Sequence, residues 1–136
     1  WSLDCGTASF PGLRLPVFEQ VLELVQGTPV KLMVETKMAA DADAHFVPPA
    51  RVVDKIDQAL RRYALSRQVW LQSFDHRTLA EMRRRNPQVR LVMLNPRTRL
   101  ADYVAPARAL GNATQFLNFR LVRAADVQRL HAAGIE

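Results

Sequence analysis

Apolar and polar positions recur along the chain at two spacings, and these predict helices and strands in turn. Apolar residues at helical spacing mark a first helix within Pro16–Gly27, with Phe18, Val21, Leu22 and Val25 as its apolar stripe. Further helices are predicted at about Pro49–Ala64, Asp75–Arg85, Ala101–Leu110 and Ala124–Ala133. Four β-prone runs lie between the helices, at Val30–Lys37, Val69–Phe74, Val89–Leu94 and within Ala113–Phe119.

This regular alternation of helices and strands predicts an α/β fold with a parallel sheet and right-handed crossovers. Neither a GxGxxG nor a GxxxxGK[ST] motif follows any of the strands. The pattern therefore favours a (β/α) barrel over an open nucleotide-binding sheet.

The first predicted strand ends in an acid and a base. Met33, Glu35 and Lys37 share one face, because side chains alternate along a strand. In a barrel the inner face opens onto the active site at its carboxyl end, where Glu35 and Lys37 would lie. They could contribute an oxygen ligand for Ca²⁺ or Mg²⁺ and a positive charge for phosphate. A structural ion pair at a strand end is the alternative interpretation.

The next strand places Trp70, Gln72 and Phe74 on one face. Gln72 is polar within an apolar run, which is consistent with either a hydrogen-bonded amide inside the barrel or a substrate contact. Phe74 could line the site for an organic group or pack in the core. Both alternatives are open for each residue.

Composition narrows the function classes. The chain has 136 residues, 49% of them hydrophobic, and a formal net charge of +6. Its arginine runs lie in or beside predicted helices, where a solvated basic face is the ordinary explanation. No aromatic–basic or zinc-spaced motif suggests a nucleic-acid partner. No apolar run reaches the ~18 residues of a membrane span, so we expect no stable membrane insertion.

In the order of its segments the chain resembles the glycerophosphodiester phosphodiesterase family. The segments are "LDCG", "GLRLPVFEQVLELV", "VETK", "VWLQSFDHRTLAEMRRRNPQVRLVML" and "LVRAADVQRLHAAG". The resemblance implies a TIM barrel that hydrolyses a glycerophosphodiester, as a small-molecule substrate, to an alcohol and glycerol 3-phosphate. It also implies a divalent cation, Ca²⁺ or Mg²⁺. Val17 departs from the family's usual Ser or Thr helix cap.

Carried over by position, the resemblance makes Glu35 a metal ligand and Lys37 the catalytic lysine that contacts the phosphate. Gln72 and Phe74 match the "QSF" segment and are candidate substrate contacts. Asn118 follows the last predicted strand and is a further candidate. His45 is the histidine best placed for an accessory contact, whereas His76 and His131 are explained by their helices.

The family's remaining motifs, including its catalytic histidines, have no counterpart among these residues. We therefore expect residues 1–136 to be part of a single barrel domain, with about four parallel strands at the third to sixth positions. Such a piece would be inactive alone, with an inner face of Met33, Trp70, Met93 and Phe116 lacking opposite partners. A periplasmic or secreted location is favoured over the cytoplasm.

Two alternatives to this function stay open. One is a non-catalytic barrel fragment or binding module. The other is a different (β/α) barrel enzyme acting on a phosphorylated substrate, for example an aldolase using Lys37 as a Schiff base. A Schiff-base lysine needs an apolar, desolvated setting, and Glu35 lies two residues away.

Overall fold

A four-stranded parallel sheet backed by helices organises the chain in a computed structural model, which describes residues 2–5, 8–12, 14–38, 46–95 and 99–136. A short antiparallel pair of strands, β1 (Ser2–Cys5) and β2 (Ala8–Pro11), precedes it. The main strands are β3 (Leu32–Thr36), β4 (Val69–Ser73), β5 (Arg90–Leu94) and β6 (Thr114–Phe116). The helices are α1 (Phe18–Val25), α2 (Pro49–Arg62), α3 (His76–Arg85), α4 (Val104–Ala109) and α5 (Ala124–Ala132).

The strand order in the main sheet is β3-β4-β5-β6, so each strand pairs with the one before it in sequence. Every pairing is parallel. Because each crossover leads to the adjacent position, all four carboxyl ends lie along one edge of the sheet. This singly wound order is the arrangement that closes into a (β/α) barrel, and it confirms the predicted α/β alternation.

The helix-facing side of the sheet forms the core. Leu32 and Val34 pack against it, and Val69 and Leu71 are fully buried. Helices α1, α2 and α3 each turn apolar side chains toward this core, including Leu22, Val53, Leu60, Leu79 and Met82, each with 0% exposure. Burial of these side chains is the main term that stabilises the layer.

The opposite side of the sheet is the inner face of the predicted barrel. Trp70 pairs with Met33 and Arg90 across the strands, and Leu94 pairs with Phe116. One prediction was wrong here: Met93 does not lie on this face. It pairs with Ser73 and Gln115 and packs in the helix-facing core at 1% exposure, whereas Val92 and Leu94 occupy the inner face.

Local sequence explains where two of the helices begin. Asp75 accepts a hydrogen bond from the backbone N–H of Arg77 at 3.0 Å and caps α3. Val17 precedes α1 and cannot supply a side-chain cap, but Gln20 reaches back to accept from the Val17 N–H at 3.0 Å. The glutamine therefore replaces part of the missing cap.

A polar cluster ties α2 to α3 at the end of the sheet opposite Glu35. The Asn86 amide donates to Asp57 at 2.6 Å and to the Ser66 hydroxyl at 3.0 Å. Arg61 donates to both Asp57 oxygens at 3.0 Å. Buried polar groups that are satisfied in this way hold the two helices in one register. Among the helices that the structure describes, none is long and apolar enough to cross a membrane.

Candidate active site

Glu35 and Lys37 stand at the carboxyl end of β3, on the inner face of the sheet. Between them Thr36 points to the helix side, where it is 7% exposed and its hydroxyl lies 3.1 Å from that of Thr78. This buried contact fixes the strand end and so directs its two neighbours inward. Lys37 Nζ donates to Glu35 Oε1. The lysine side chain is 77% exposed and that of the glutamate 23%.

The ion-pair interpretation therefore describes the contact correctly, but the pair adds little stability. Pairs with one strongly exposed partner contribute about 0–1 kcal/mol, because water screens the charges and a long side chain must be ordered. Lys37 can leave Glu35 for another anion at small cost.

Gln72 lies next to Glu35 across the β3–β4 pair. Its Nε2 donates to Glu35 Oε2 at 3.4 Å, a long hydrogen bond. Its Oε1 is buried and has no partner within the described part of the chain. Gln72 is thus only partly satisfied, which the interpretation as a fully hydrogen-bonded amide did not anticipate.

Phe74 follows β4 on the same edge. Its side chain is 58% exposed, so it does not pack in the core that the described residues form. Lys37 Nζ lies 6.0 Å from the centroid of the Phe74 ring, at the outer limit of a cation–π contact. Phe74 therefore forms the apolar border of the group that contains Glu35, Lys37 and Gln72.

Asn118 lies beyond β6 on the same side of the sheet. It lines a shallow pocket together with Phe74 and Phe116. Its Oδ1 accepts the backbone N–H of Arg120 at 3.0 Å and closes a turn. The side chain is therefore committed to the loop, and its remaining amide N–H groups are the part available to a ligand.

The histidines divide as the sequence indicated, apart from the one that is not described. His76, the first residue of α3, has Nε2 3.2 Å from the carbonyl oxygen of Leu94. His131 is exposed on α5. His45 lies outside the described residues.

Sequence reasoning missed Asn95, the residue after β5. It is 7% exposed, donates Nδ2 to Gln115 Oε1 at 2.6 Å, and leaves its own buried Oδ1 without a partner in the described ranges. The signal was similar to that for Asn118, a polar residue shortly after the end of a strand. Asn95 and Asn118 both line the pocket beside Phe74.

Asp75 adds a fixed negative charge next to Phe74. Hydrogen bonds from the Arg77 guanidinium, at 2.7–3.2 Å, hold the pKa of this carboxyl below its ordinary value, with smaller help from the Arg77 backbone N–H. Asp75 is already committed to capping α3 and to Arg77. It therefore acts as a structural charge at the rim of the site.

The donors for a cation at this edge are few. Glu35 provides a half-buried carboxylate, a hard oxygen ligand suited to Ca²⁺ or Mg²⁺. The neighbouring Gln72 carbonyl oxygen, buried and without a partner, is a second oxygen of the same kind. Across residues 14–38, 46–95 and 99–136 no group of three or more His, Cys, Asp or Glu side chains could hold a metal ion. The oxygens of Glu35 and Gln72 could therefore supply part of the coordination shell of a divalent cation.

The parallel strands follow one another in sequential order, which is the arrangement of a (β/α)-barrel protein. An acid, a base and an amide lie at their carboxyl ends, the edge at which such barrels have their sites. The Glycerophosphoryl diester phosphodiesterase family model matches residues 3–136, and the chain belongs to this family. Its members hydrolyse glycerophosphodiesters. No curated protein matches the chain significantly.

Solved structures show the same fold. A protein assigned as a glycerophosphodiester phosphodiesterase from Galdieria sulphuraria aligns over 98% of this chain and 52% of its own, with a TM-score of 0.74 and 21% identity. One assigned as a glycerophosphoryl diester phosphodiesterase from Silicibacter pomeroyi aligns over 87% and 43%, with a TM-score of 0.70 and 22% identity. A glycerophosphodiester phosphodiesterase from Parabacteroides distasonis aligns over 88% and 48%, with a TM-score of 0.65 and 14% identity.

The chain thus spans about half the length of each of these structures. Its four parallel strands alternating with helices correspond to about half of a TIM-barrel chain.

Proposed function

We propose that the full-length protein hydrolyses glycerophosphodiesters to an alcohol and glycerol 3-phosphate, with a divalent cation, Ca²⁺ or Mg²⁺. One observation carries the proposal: in a chain of this family, Glu35, Lys37 and Gln72 meet at the carboxyl ends of neighbouring parallel strands. That edge is where (β/α)-barrel enzymes have their active sites.

Glu35 is proposed as a ligand of the cation. The half-buried carboxylate keeps both oxygens near the inner face, where Gln72 donates to one of them. A bound cation would supply Lewis-acid polarisation of the phosphoryl group. Further ligands and the acid–base histidines that the resemblance implies are expected from barrel segments outside these residues.

Lys37 is proposed to contact the phosphate. Its ammonium is exposed and held only by Glu35, so it can turn toward an anionic ligand. In the reaction negative charge builds up on the phosphoryl oxygens, and a fixed positive charge stabilises that state more than the substrate. Lys37 would thus serve catalysis by charge, without transferring a proton.

Gln72, Phe74 and Asn118 are proposed as substrate-side residues with different duties. Gln72 orients Glu35 through its amide N–H and offers its unpaired Oε1 to the cation or to a substrate hydroxyl. Phe74 provides an apolar border. Asn118 can donate its amide N–H groups, because its oxygen is used by the Arg120 turn.

A Schiff-base barrel enzyme is less well supported by the same geometry. Such a lysine works when desolvation lowers its pKa, whereas the Lys37 side chain is 77% exposed and paired with a carboxylate. A non-catalytic barrel remains the main competitor, since the acid–base residues are not among those described.

The direct test is an assay of the full-length protein on glycerophosphocholine, with phosphorus NMR to identify the product. We expect glycerol 3-phosphate, formed only with a divalent cation and lost on chelation. Phosphocholine as product would show that the other ester bond is cleaved. No turnover with either Ca²⁺ or Mg²⁺ would favour the non-catalytic alternative.

A further inference from the structure

Three buried hydroxyl groups lie behind the Glu35–Lys37 pair, on the helix-facing side of the sheet. They belong to Thr36, Ser73 and Thr78, which are 7%, 0% and 0% exposed. Thr36 ends β3, Ser73 ends β4, and Thr78 lies in the first turn of α3. The three hydroxyls therefore stand where two strand ends meet the helix that follows them.

These hydroxyls and the backbone of Asp75 form a closed ring of hydrogen bonds, which we call the hydroxyl ring. Ser73 Oγ donates to the Thr36 carbonyl oxygen at 3.3 Å and accepts from the Asp75 N–H at 3.0 Å. Thr78 Oγ1 donates to the Asp75 carbonyl oxygen at 2.8 Å. Because a hydroxyl has one proton, Thr36 Oγ1 must donate to Thr78 Oγ1 across their 3.1 Å contact. Each of the three hydroxyl protons is thus used inside the ring.

The sequence of β3 and β4 changes character at the position where the hydroxyl ring forms. The earlier helix-facing positions are apolar, Leu32 and Val34 in β3 and Val69 and Leu71 in β4. The last helix-facing residue is a threonine in one strand and a serine in the other. Apolar groups of the same shape on both sides of a contact can be nearly as stable as a buried hydrogen bond. Stability alone therefore does not account for the hydroxyls.

The hydroxyl ring holds the backbone where the pairing of the two strands ends. Thr36 and Ser73 form the last pair in the β3–β4 register, and Lys37 lies beyond it. Thr36 stands between Glu35 and Lys37, so anchoring its side chain on the helix side directs both neighbours to the inner face. A displacement of about 1 Å in a reacting group can cost about 100-fold in rate. The direction of these two side chains is therefore a quantity that a catalyst must control.

We propose that the hydroxyl ring positions the site for the reaction: through Thr36 it holds Glu35 and Lys37 in the geometry that binds the cation and the phosphate. The inference rests on the proposed function for the parts played by those two side chains. Thr36, Ser73 and Thr78 are positioning residues, because their hydroxyls act on the backbone behind the site. All atoms of the ring belong to described residues, so the ring needs no other barrel segment to close.

The test removes the Thr36 hydroxyl from the full-length protein with little change in side-chain volume. Thr36→Val should weaken Ca²⁺ or Mg²⁺ binding about tenfold and lower kcat/KM for glycerophosphocholine about tenfold. Thr36→Ser keeps the hydroxyl and should restore most of both. Titration calorimetry measures the cation affinity without turnover, and glycerol 3-phosphate release measures kcat/KM.

Ser66→Ala is the matched control for the loss of a buried hydroxyl. Ser66 is 7% exposed, as Thr36 is, and its hydroxyl accepts from Asn86 Nδ2 at 3.0 Å at the opposite end of the sheet. Thr36→Val and Ser66→Ala should both lower the urea midpoint of unfolding, because each breaks a buried hydrogen bond. Only Thr36→Val should also lower cation affinity and kcat/KM.

Two further measurements separate positioning from stability. In a Lys37→Ala protein, Thr36→Val should reduce kcat/KM by a smaller factor than in the wild type, because one of the side chains that it positions is absent. Ser73→Ala should speed hydrogen exchange of the Asp75 backbone N–H about tenfold relative to other amides of α3, because that N–H loses its acceptor.

Wild-type cation affinity and kcat/KM in Thr36→Val, or equal losses in Thr36→Val and either Thr36→Ser or Ser66→Ala, would overturn the inference. So would additive effects of Thr36→Val and Lys37→Ala, or an unchanged Asp75 exchange rate in Ser73→Ala. A wild type that binds the cation but releases no glycerol 3-phosphate would contradict the proposed function, and the cation affinity of Thr36→Val would still decide on the ring. A wild type that binds no cation would contradict both.

Discussion

The Gln72 amide lies directly beside the Glu35 carboxylate across the β3–β4 pair and donates to it over 3.4 Å. Both side chains lie on the inner face, at the carboxyl ends of their strands. The remaining Glu35 oxygen accepts from Lys37. One carboxylate thus connects an amide and an ammonium, and its orientation depends on both.

The first prediction concerns the support that Gln72 gives to Glu35. Gln72→Leu should weaken Ca²⁺ or Mg²⁺ binding by the full-length protein about 10- to 100-fold, the usual effect of removing a group that orients a metal ligand. Titration calorimetry measures the affinity. Gln88→Leu, at an exposed amide near the opposite edge of the sheet, is the control. Unchanged metal affinity in Gln72→Leu would show that Gln72 does not orient Glu35 for metal binding.

The second prediction concerns Lys37. Lys37→Ala should lower kcat/KM for glycerophosphocholine by about 100-fold or more, because the lost charge acts mainly on the transition state. Lys37→Arg should recover only part of it, since a planar fork does not replace a compact ammonium. Lys31→Ala, at the other end of the same strand segment, should be near wild type. Full activity in Lys37→Ala would show that Lys37 serves only as the partner of Glu35 in a structural ion pair.

The third prediction concerns the 136-residue chain by itself. β3 and β6 are the two outer strands of the main sheet, and Met33 and Phe116 on the inner face are 44% and 41% exposed. Unpaired strand edges beside apolar surface promote association. Light scattering of this chain should therefore show oligomers or aggregates, without hydrolytic activity. A monodisperse, cooperatively unfolding monomer would contradict the interpretation as part of a barrel.

The fourth prediction concerns acid stability. Glu81 Oε1 accepts from Arg84 at 2.6 Å and from Arg85 at 2.5 Å, and these hydrogen bonds lower its pKa from 4.5 to about 2. The folded state thus binds this proton less readily than the unfolded chain does. The stabilisation is present above about pH 4.5 and is lost as the pH falls toward about 2.

Urea unfolding of the full-length protein between these two pH values measures that loss. Glu81→Gln has no carboxylate to titrate at this position, so its stability should fall less steeply with acid. An identical slope in the two proteins would show that the arginines do not hold the carboxylate in solution.

The sequence predicted most of the architecture because its helices are amphipathic and its turns are well marked. The bounds of α2 differ from the prediction by only two residues at the carboxyl end. The β1–β2 pair was missed, since two four-residue strands give too short a pattern to show a period. Met93 was assigned to the wrong face because four successive residues of β5, Leu91 to Leu94, are buried and the strand has no polar alternation.

The site was predictable to the extent that it lies on strands. Period-two alternation identified Glu35, Lys37 and Gln72 as polar side chains on the faces of two predicted strands. The structure brings these three side chains together. Phe74 lies just past the end of β4, where alternation no longer determines exposure. Asn95 lies just past the end of β5, so its place in the shallow pocket beside Phe74 could be recognised only from the folded chain.

The central claim is that Glu35 serves a metal-dependent phosphodiesterase, and one measurement tests it most directly. Glycerol 3-phosphate release from glycerophosphocholine is followed against divalent-cation concentration for the full-length wild type, Glu35→Gln and the exposed control Glu23→Gln. We predict that Glu35→Gln, with an unchanged unfolding transition, loses at least about 100-fold in kcat/KM while Glu23→Gln retains wild-type behaviour. A Glu35→Gln protein with normal turnover and normal cation dependence would contradict the claim.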